Sequence, residues 1–285
     1  MVERSRFKTM AVAVVSSWIL VFVLVPNLLV IAASVLARDD SRLVRFALTL
    51  ENYGLLLDPV VLAMFMRSLG YAAVTTAACL LIGYPFAFIV ARSPLKHVLL
   101  VLIIIPFWTS SLVRTYALII ILKANGLVNT SLLALGVIDA PLTILYTNTA
   151  VLIGLVYMLL PFMILPLYAT VEKFDINLVE AGQDLGASWL QVMRYVVLPV
   201  TMPGIIAGVI MVFLPTLGLF YVPDLLGGAK SMLVGNFIKN QFLVTRHWPL
   251  GSAASVFLTL IMLVFFAVYY MNLRRFGARP GDLNH

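Results

Sequence analysis

The sequence predicts an all-α polytopic membrane protein with six transmembrane helices, and three observations carry that reading. Of its 285 residues, 62% are hydrophobic and only 11% are charged, and the mean hydropathy is +1.07, far from a soluble globular domain. Apolar segments long enough to cross a bilayer, about 20 residues each, alternate with polar or turn-rich stretches. Basic residues gather at segment ends, so the net charge of +7 reads as flanks facing lipid headgroups, not as a nucleic-acid surface. Cys79, the single cysteine, lies inside an apolar segment, which leaves no disulfide framework or thiolate cluster. His97, His247 and His285 carry no ligand spacing, so no metal site is expected.

Taken in order, residues 1–9 hold Arg4, Arg6 and Lys8, and an uncharged run from Met10 to Ala37 follows. A signal peptide has the same opening, but its apolar region is about 7 to 15 residues, so this run is read as a retained first span. The segment from Arg38 to about Leu62, with Asp39, Asp40, Arg42, Arg45, Glu51 and Asp58, reads as an ordered external loop with an amphipathic piece. A second span covers 64–90 with a kink expected at Pro85, and a basic turn from Arg92 to His97 follows. The third span is expected over 98–122, including Pro106 and Arg114. Residues 123–143 read as a loop with a short interfacial helix around Leu132. The fourth span covers 145–170, interrupted by Pro161 and Pro166, the fifth 201–223 and the sixth 252–273.

With both termini inside, ten of the nineteen Lys and Arg residues fall inside, which is nearly neutral. The rule weights short loops and span ends, and there the N-terminal cluster, the 92–97 turn and the cluster of Arg274, Arg275 and Arg279 agree. Both termini are therefore read as cytoplasmic, and so is the loop over 171–200.

That loop is the longest polar interruption in the C-terminal half. Asn177 three residues before Glu180 reads as a capping box opening a short helix, which Gly186 closes as a left-handed cap. Ser188 followed by Gln191 reads as a second capping box, with Pro199 near that helix's end. The residues alone also allow an ordinary amphipathic hairpin on the membrane surface. Glu180 and Asp184 share a helix face and could meet basic residues of a partner, or simply favour the helix N-terminus.

Glu180, Ala181, Gly186, Val196, Leu198 and Pro199 match the loop pattern Glu-Ala-Ala, three residues, Gly, nine residues, an aliphatic, any residue, Leu-Pro. In these residues the chain resembles the permease subunits of binding-protein-dependent ABC importers, with Gly182 replacing the usual second alanine. Stretches such as PFWTSSLVRTYAL and LPTLGLFYVPDLLGGAK extend the resemblance over nearly the whole chain, to the permeases of spermidine/putrescine importers. The resemblance implies a single transmembrane permease domain of the type I importer fold in a bacterial inner membrane. It implies a coupling loop at 171–200 in which Glu180, Ala181, Asp184, Gly186, Ala187, Ser188, Leu198 and Pro199 engage an ATPase. It further implies a second permease subunit, two ATPase subunits that use ATP and Mg, and a periplasmic polyamine-binding protein.

The spans contain no Asp or Glu, which argues against a proton- or sodium-driven carrier. No phosphate-cradling Gly-x-x-x-x-Gly-Lys-Ser/Thr or other catalytic motif occurs, so no catalytic residue and no cofactor of the chain's own is expected. Arg114 stands well inside an apolar segment and is either functional or snorkels to water. Tyr221 and Asp224 offer a cation an aromatic face and a carboxylate, though Asp224 reads equally as a polar residue at a span's end. Trp108 and Tyr116 add aromatic surface or belong to an interfacial belt. Gly204 and Gly208 form a small-xxx-small pair that suits an interface, with a second permease as the partner considered.

Overall fold

The structure is a computed structural model that describes residues 2–39, 43–228 and 231–275; for 2–9, 11 and 272–275 it describes the backbone alone. Asp40, Arg42 and Arg279 lie outside the described residues. Six helical segments are long and apolar enough to span a membrane: Val12–Ser34, Pro59–Arg92, Ser111–Ala134, Asn148–Val171, Trp189–Gly218 and Trp248–Met271.

The chain divides into two compact units, one of residues up to Ala63 with Phe237–Leu263, the other of Met64–Asn236 with residues from Val264 on. In the first unit, α1 (Val2–Ile19) and α2 (Val25–Ser34) are joined by a π-turn at Leu20–Leu24. Pro26 stands at the start of α2. A proline has no N–H to give, and its ring crowds the carbonyl four residues back; widening the preceding turn moves that carbonyl away. The polar stretch after α2 holds an antiparallel hairpin, β1 (Leu36–Asp39) and β2 (Leu43–Leu48), and then α3 (Glu51–Leu56). The sequence reading expected the amphipathic piece but not the strands. Buried Asn52 ties the pieces together, its amide donating to the carbonyls of Ser34 at 3.1 Å and Leu36 at 2.9 Å.

The second unit is built round a long axial helix. Its elements are α4 (Pro59–Arg92, entering from the first unit), α5 (Lys96–Ile104), α6 (Ser111–Leu122), α7 (Leu127–Ala134), α8 (Asn148–Val171), α9 (Asn177–Asp184), α10 (Trp189–Val192) and α11 (Leu198–Gly218). Then come α12 (Val234–Leu243) and α13 (Trp248–Arg275), each shared between the units. α8 buries Val151, Leu155, Met163 and Leu167 completely, against Cys79 and Ala87 of α4 and Val212 of α11. The helix runs through Pro161 and Pro166 without interruption, and the Thr170 hydroxyl donates to the Pro166 carbonyl at 2.6 Å.

Gly204 and Gly208 of α11 face α8. A Cβ on Gly204 would collide with Thr170 Oγ1 and stand 2.8 Å from the Pro166 carbonyl, and one on Gly208 would stand 2.6 Å from Met163 Sδ. The small-residue pair is thus spent on packing within the chain, which corrects its reading as an interface to another subunit. Tyr84 of α4 and Thr201 of α11 share a hydrogen bond of 2.9 Å across the same bundle.

Two spans differ from expectation. The third is not one helix over 98–122: α5 continues as a 3-10 turn at Ile105–Trp108, Thr109 is extended, and α6 starts afresh at Ser111. Pro106 explains the break, since it lacks the N–H that would continue α5. The apolar run picks up through α6 and α7 to Ala134. The fifth span ends at Gly218, not Pro223; after Leu219 the chain turns into a π-turn, Pro223–Gly227, whose Leu226 packs on Gly154 of α8 together with Val222 just before the turn.

Candidate coupling loop and substrate path

The loop between α8 and α11 folds as two short helices meeting at a glycine. Its entry differs from expectation: Asn177 is the first helical residue, and its N–H donates to Asp175 Oδ1 at 3.0 Å. An Asx-turn at Asp175, two residues upstream, has taken the capping role, so no Asn177–Glu180 capping box forms. α9 ends as expected. Gly186 has φ +83°, its N–H donates to Gln183 O at 2.8 Å, and the Ala187 N–H reaches Gly182 O at 3.1 Å. These paired bonds are the Schellman closure, in which a left-handed residue satisfies the last carbonyls.

The second capping box is present. Ser188 N–H donates to Gln191 Oε1 at 2.7 Å, and the Gln191 N–H donates back to Ser188 Oγ at 3.4 Å. Pro199 does not end this helix. A π-turn at Met193–Val197 widens the chain just ahead of it, and α11 continues into the membrane, the device seen before Pro26. Leu198 and Pro199 therefore weld the loop to the fifth span.

Glu180, Ala181, Asp184, Gly186 and Ser188 are exposed, and Ala187 is half-buried against a small core of Phe174, Val179, Val192 and Val197. A Cβ on Gly182 would lie 3.2 Å from Val192, so glycine at this position lets α10 sit closely on α9. Beside the two carboxylates the loop exposes Leu185, Trp189 and Leu190, at 89%, 57% and 76%. Exposed apolar residues of this size on a polar loop mark a contact surface; their signal in the sequence was three large apolar residues inside the most polar stretch.

The base of the loop is tied to the 92–97 turn. Lys96 Nζ pairs with Glu172 Oε1 at 2.8 Å, and Arg92 donates to the Phe174 carbonyl at 3.3 Å. Glu172 titrates below the ordinary carboxylate value, chiefly through the hydrogen bond from Lys96 and next through that of Tyr168.

The five substrate-path candidates fall in two places. Arg114 lies over the Phe107 ring, 5.1 Å from its centroid, in a cavity of about 330 Å³ whose wall includes Tyr157, Pro161 and Ile164 of α8. Those residues stand roughly 14 to 24 Å along a helix of about 36 Å, which sets Arg114 beside the middle of α8. Its Nε is buried with no hydrogen-bond partner among the described residues. Trp108 and Tyr116 are exposed, at 87% and 56%. Tyr221 and Asp224 belong to the segment turned against the first third of α8, where Tyr221 meets Phe220 edge-on at 6.1 Å. Sequence reasoning missed Asn236, which is buried and donates both to Asp224 Oδ1 and, at 2.8 Å, to the Phe220 carbonyl. Its signal, an Asn in the first turn of a short helix, is too common to have been found.

Among the described residues no group of three or more His, Cys, Asp or Glu side chains could hold a metal ion.

Comparison with known proteins adds the following. Residues 79–279 match a family model described as binding-protein-dependent transport system inner membrane component. The chain is 46% identical over 286 residues to the spermidine/putrescine transport system permease protein PotB of Salmonella typhimurium (strain SL1344), covering 100% of both. It is 51% identical over 268 residues to the protein of that name from Haemophilus influenzae, covering 93% of this chain and 94% of the relative. Among solved structures it is similar to a chain of a bacterial alginate ABC transporter in complex with alginate pentasaccharide-bound periplasmic protein. There the TM-score is 0.77 at 16% identity, covering 97% of each chain, which supports the fold alone.

Proposed function

This chain belongs to the family of binding-protein-dependent transport system inner membrane components, a transport subunit and not an enzyme, and we propose that it is the permease of an ATP-driven polyamine importer. The observation that carries the substrate class is its identity, over nearly its full length, with permeases named for spermidine and putrescine. On this reading the chain is a single permease domain of a bacterial inner membrane with both termini cytoplasmic. A second permease stands beside it, two ATPase subunits hydrolyse ATP with Mg below it, and a periplasmic polyamine-binding protein delivers the substrate.

Energy enters through the loop. Leu185, Trp189 and Leu190, flanked by Glu180 and Asp184, dock on an ATPase subunit, with Ala181, Gly186, Ala187 and Ser188 fixing the shape presented. Because α10 runs through its π-turn into α11 without a joint, movement of the ATPase is passed by Leu198 and Pro199 directly to the fifth span. Lys96–Glu172 and Arg92–Phe174 carry the same movement to α4 and α8.

The path itself offers little charge. The six spans contain no carboxylate, so a polyamine loses its water to carbonyls and aromatic faces. Helix breaks supply such carbonyls at Thr109 and at Leu219. Tyr221 and Asp224 receive the cation at the second break, with Trp108 and Tyr116 lending aromatic surface. Arg114 beside the middle of α8 sets a positive barrier that holds a polycation back until the path opens.

The test is ATP hydrolysis by the reconstituted importer. Spermidine-loaded binding protein is expected to stimulate it, and Glu180→Ala and Gly186→Pro are expected to abolish the stimulation while the subunits still copurify. If the complex is active but no polyamine stimulates it, the substrate class is wrong.

A further inference from the structure

At the end of the second unit opposite the coupling loop, two cavities share a wall. One, of about 500 Å³, is lined by Arg67, Tyr71, Tyr146, Thr147, Asn148, Ser231 and Leu233. The other, of about 340 Å³, is lined by Gly70, Val74 and Leu152 together with Arg67, Tyr71 and Asn148. Residues 67, 70, 71 and 74 recur at helical spacing, so a single face of α4 carries the cation, then the aromatic, then open apolar wall. A Cβ built on Gly70 meets nothing within 4 Å, so the apolar part of this face is open beside the helix.

Depth locates this pair at the boundary of the hydrocarbon. α4, with 34 residues, is about 51 Å long against a hydrocarbon core of about 30 Å, and Arg67 stands about 12 Å from its start. Asn148 opens α8 at the same level. Arg67 makes no hydrogen bond or ion pair with any described residue, while the polar wall around it is fixed. Ser231 donates to Asn148 Oδ1 at 3.1 Å. With its carbonyl oxygen turned to Ser231, the Asn148 amide keeps its N–H groups to offer. Tyr146, whose backbone is held at φ +62° by donation of its N–H to Leu226 O at 2.9 Å, closes the side of the larger cavity.

A guanidinium and an amide N–H at the headgroup level, above an apolar groove running into the hydrocarbon, match one ligand chemistry: a phosphodiester carrying acyl chains. A cationic substrate is repelled by Arg67, and a protein carboxylate would leave the groove unfilled. We propose that this is a binding site for one phospholipid, its phosphate on Arg67 and Asn148 and an acyl chain along Gly70, Val74 and Leu152.

The test is native mass spectrometry of the detergent-purified importer after addition of phosphatidylglycerol, compared with digalactosyldiacylglycerol, which lacks phosphate, and with glycerol phosphate as a free competitor. The expected result is retention of one phosphatidylglycerol, weakened about tenfold by Arg67→Gln and largely preserved in Arg67→Lys. Gly70→Leu, which fills the groove from open space and so leaves the fold intact, is expected to remove retention as well. Equal retention by Arg67→Gln and Gly70→Leu would overturn the site. So would equal retention of the galactolipid, or loss to glycerol phosphate with Gly70→Leu unaffected, which would mean an anion site and not a lipid site. A wild-type importer that binds no lipid, while Arg67→Cys cross-links to a neighbouring subunit, would assign the pocket to protein contact instead.

Discussion

Alanine in place of Gly204 should destabilise the protein although it favours the helix. Any helix-interior glycine gains about 1 kcal/mol on becoming alanine. At Gly204 the new methyl meets Thr170 Oγ1 and the Pro166 carbonyl, and its third neighbour is Thr170 Cβ at 2.9 Å. None of these is the far end of a flexible chain, so α8 and α11 must separate, at the upper end of the roughly 1 to 3 kcal/mol typical of overpacking. The net loss is about 2 kcal/mol, or a fall in Tm of about 4 to 8 °C by scanning fluorimetry of purified protein. Gly70→Ala, with open space around it, should raise Tm by about 2 to 4 °C. Gly208→Ala should lie between, because its first obstacle is the movable Met163 Sδ and the backbone comes only at 3.2 Å. If all three substitutions shifted Tm alike, the close α8–α11 contact would be wrong.

Other outcomes follow from the same geometry. Gly186→Ala forces an L-residue to φ +83°, costing about 1 to 2 kcal/mol locally; substrate-stimulated ATP hydrolysis should fall further than subunit copurification does. Ser188→Ala removes one cap bond of α10 and should reduce the same stimulation more mildly, with Ser188→Asp restoring it. The Lys96–Glu172 pair lowers the Glu172 pKa, so its contribution is present above the ordinary value of 4.5 and is lost as the pH falls through the lowered one. The Tm difference between wild type and Glu172→Gln should accordingly be present at neutral pH and vanish in acid; a difference that persisted unchanged would rule out the ion pair as its cause. Asp224→Asn should reduce polyamine uptake with assembly unchanged, and normal uptake would remove Asp224 from the path.

Much of this was legible in the sequence because lipid enforces it. Six spans could be counted from apolar length, and the Ser188–Gln191 cap and the Gly186 turn could be placed because each rests on contacts within a few residues. What failed was of two kinds. Proline predicts a helix end near Pro199 and interruptions at Pro161 and Pro166, yet at Pro199 the chain widens into a π-turn and at Pro161 and Pro166 the helix goes straight through, since neighbouring helices hold the backbone in place. Conversely Pro106, read as lying inside a span, broke it. The second kind is partner choice: Gly204 and Gly208 announce a close helix contact, but nothing local says that α8 of the same chain makes it. Arg114 shows the same limit, because its place beside the middle of α8 is set by tertiary packing and not by its own segment.

The most direct measurement is uptake of labelled spermidine into proteoliposomes holding the complete importer, with binding protein outside and ATP inside. The account predicts uptake that requires ATP, stops with vanadate, survives ionophores that collapse ion gradients, and is lost in Gly186→Pro despite intact assembly. Uptake that proceeds without ATP and follows an imposed proton or sodium gradient would contradict it.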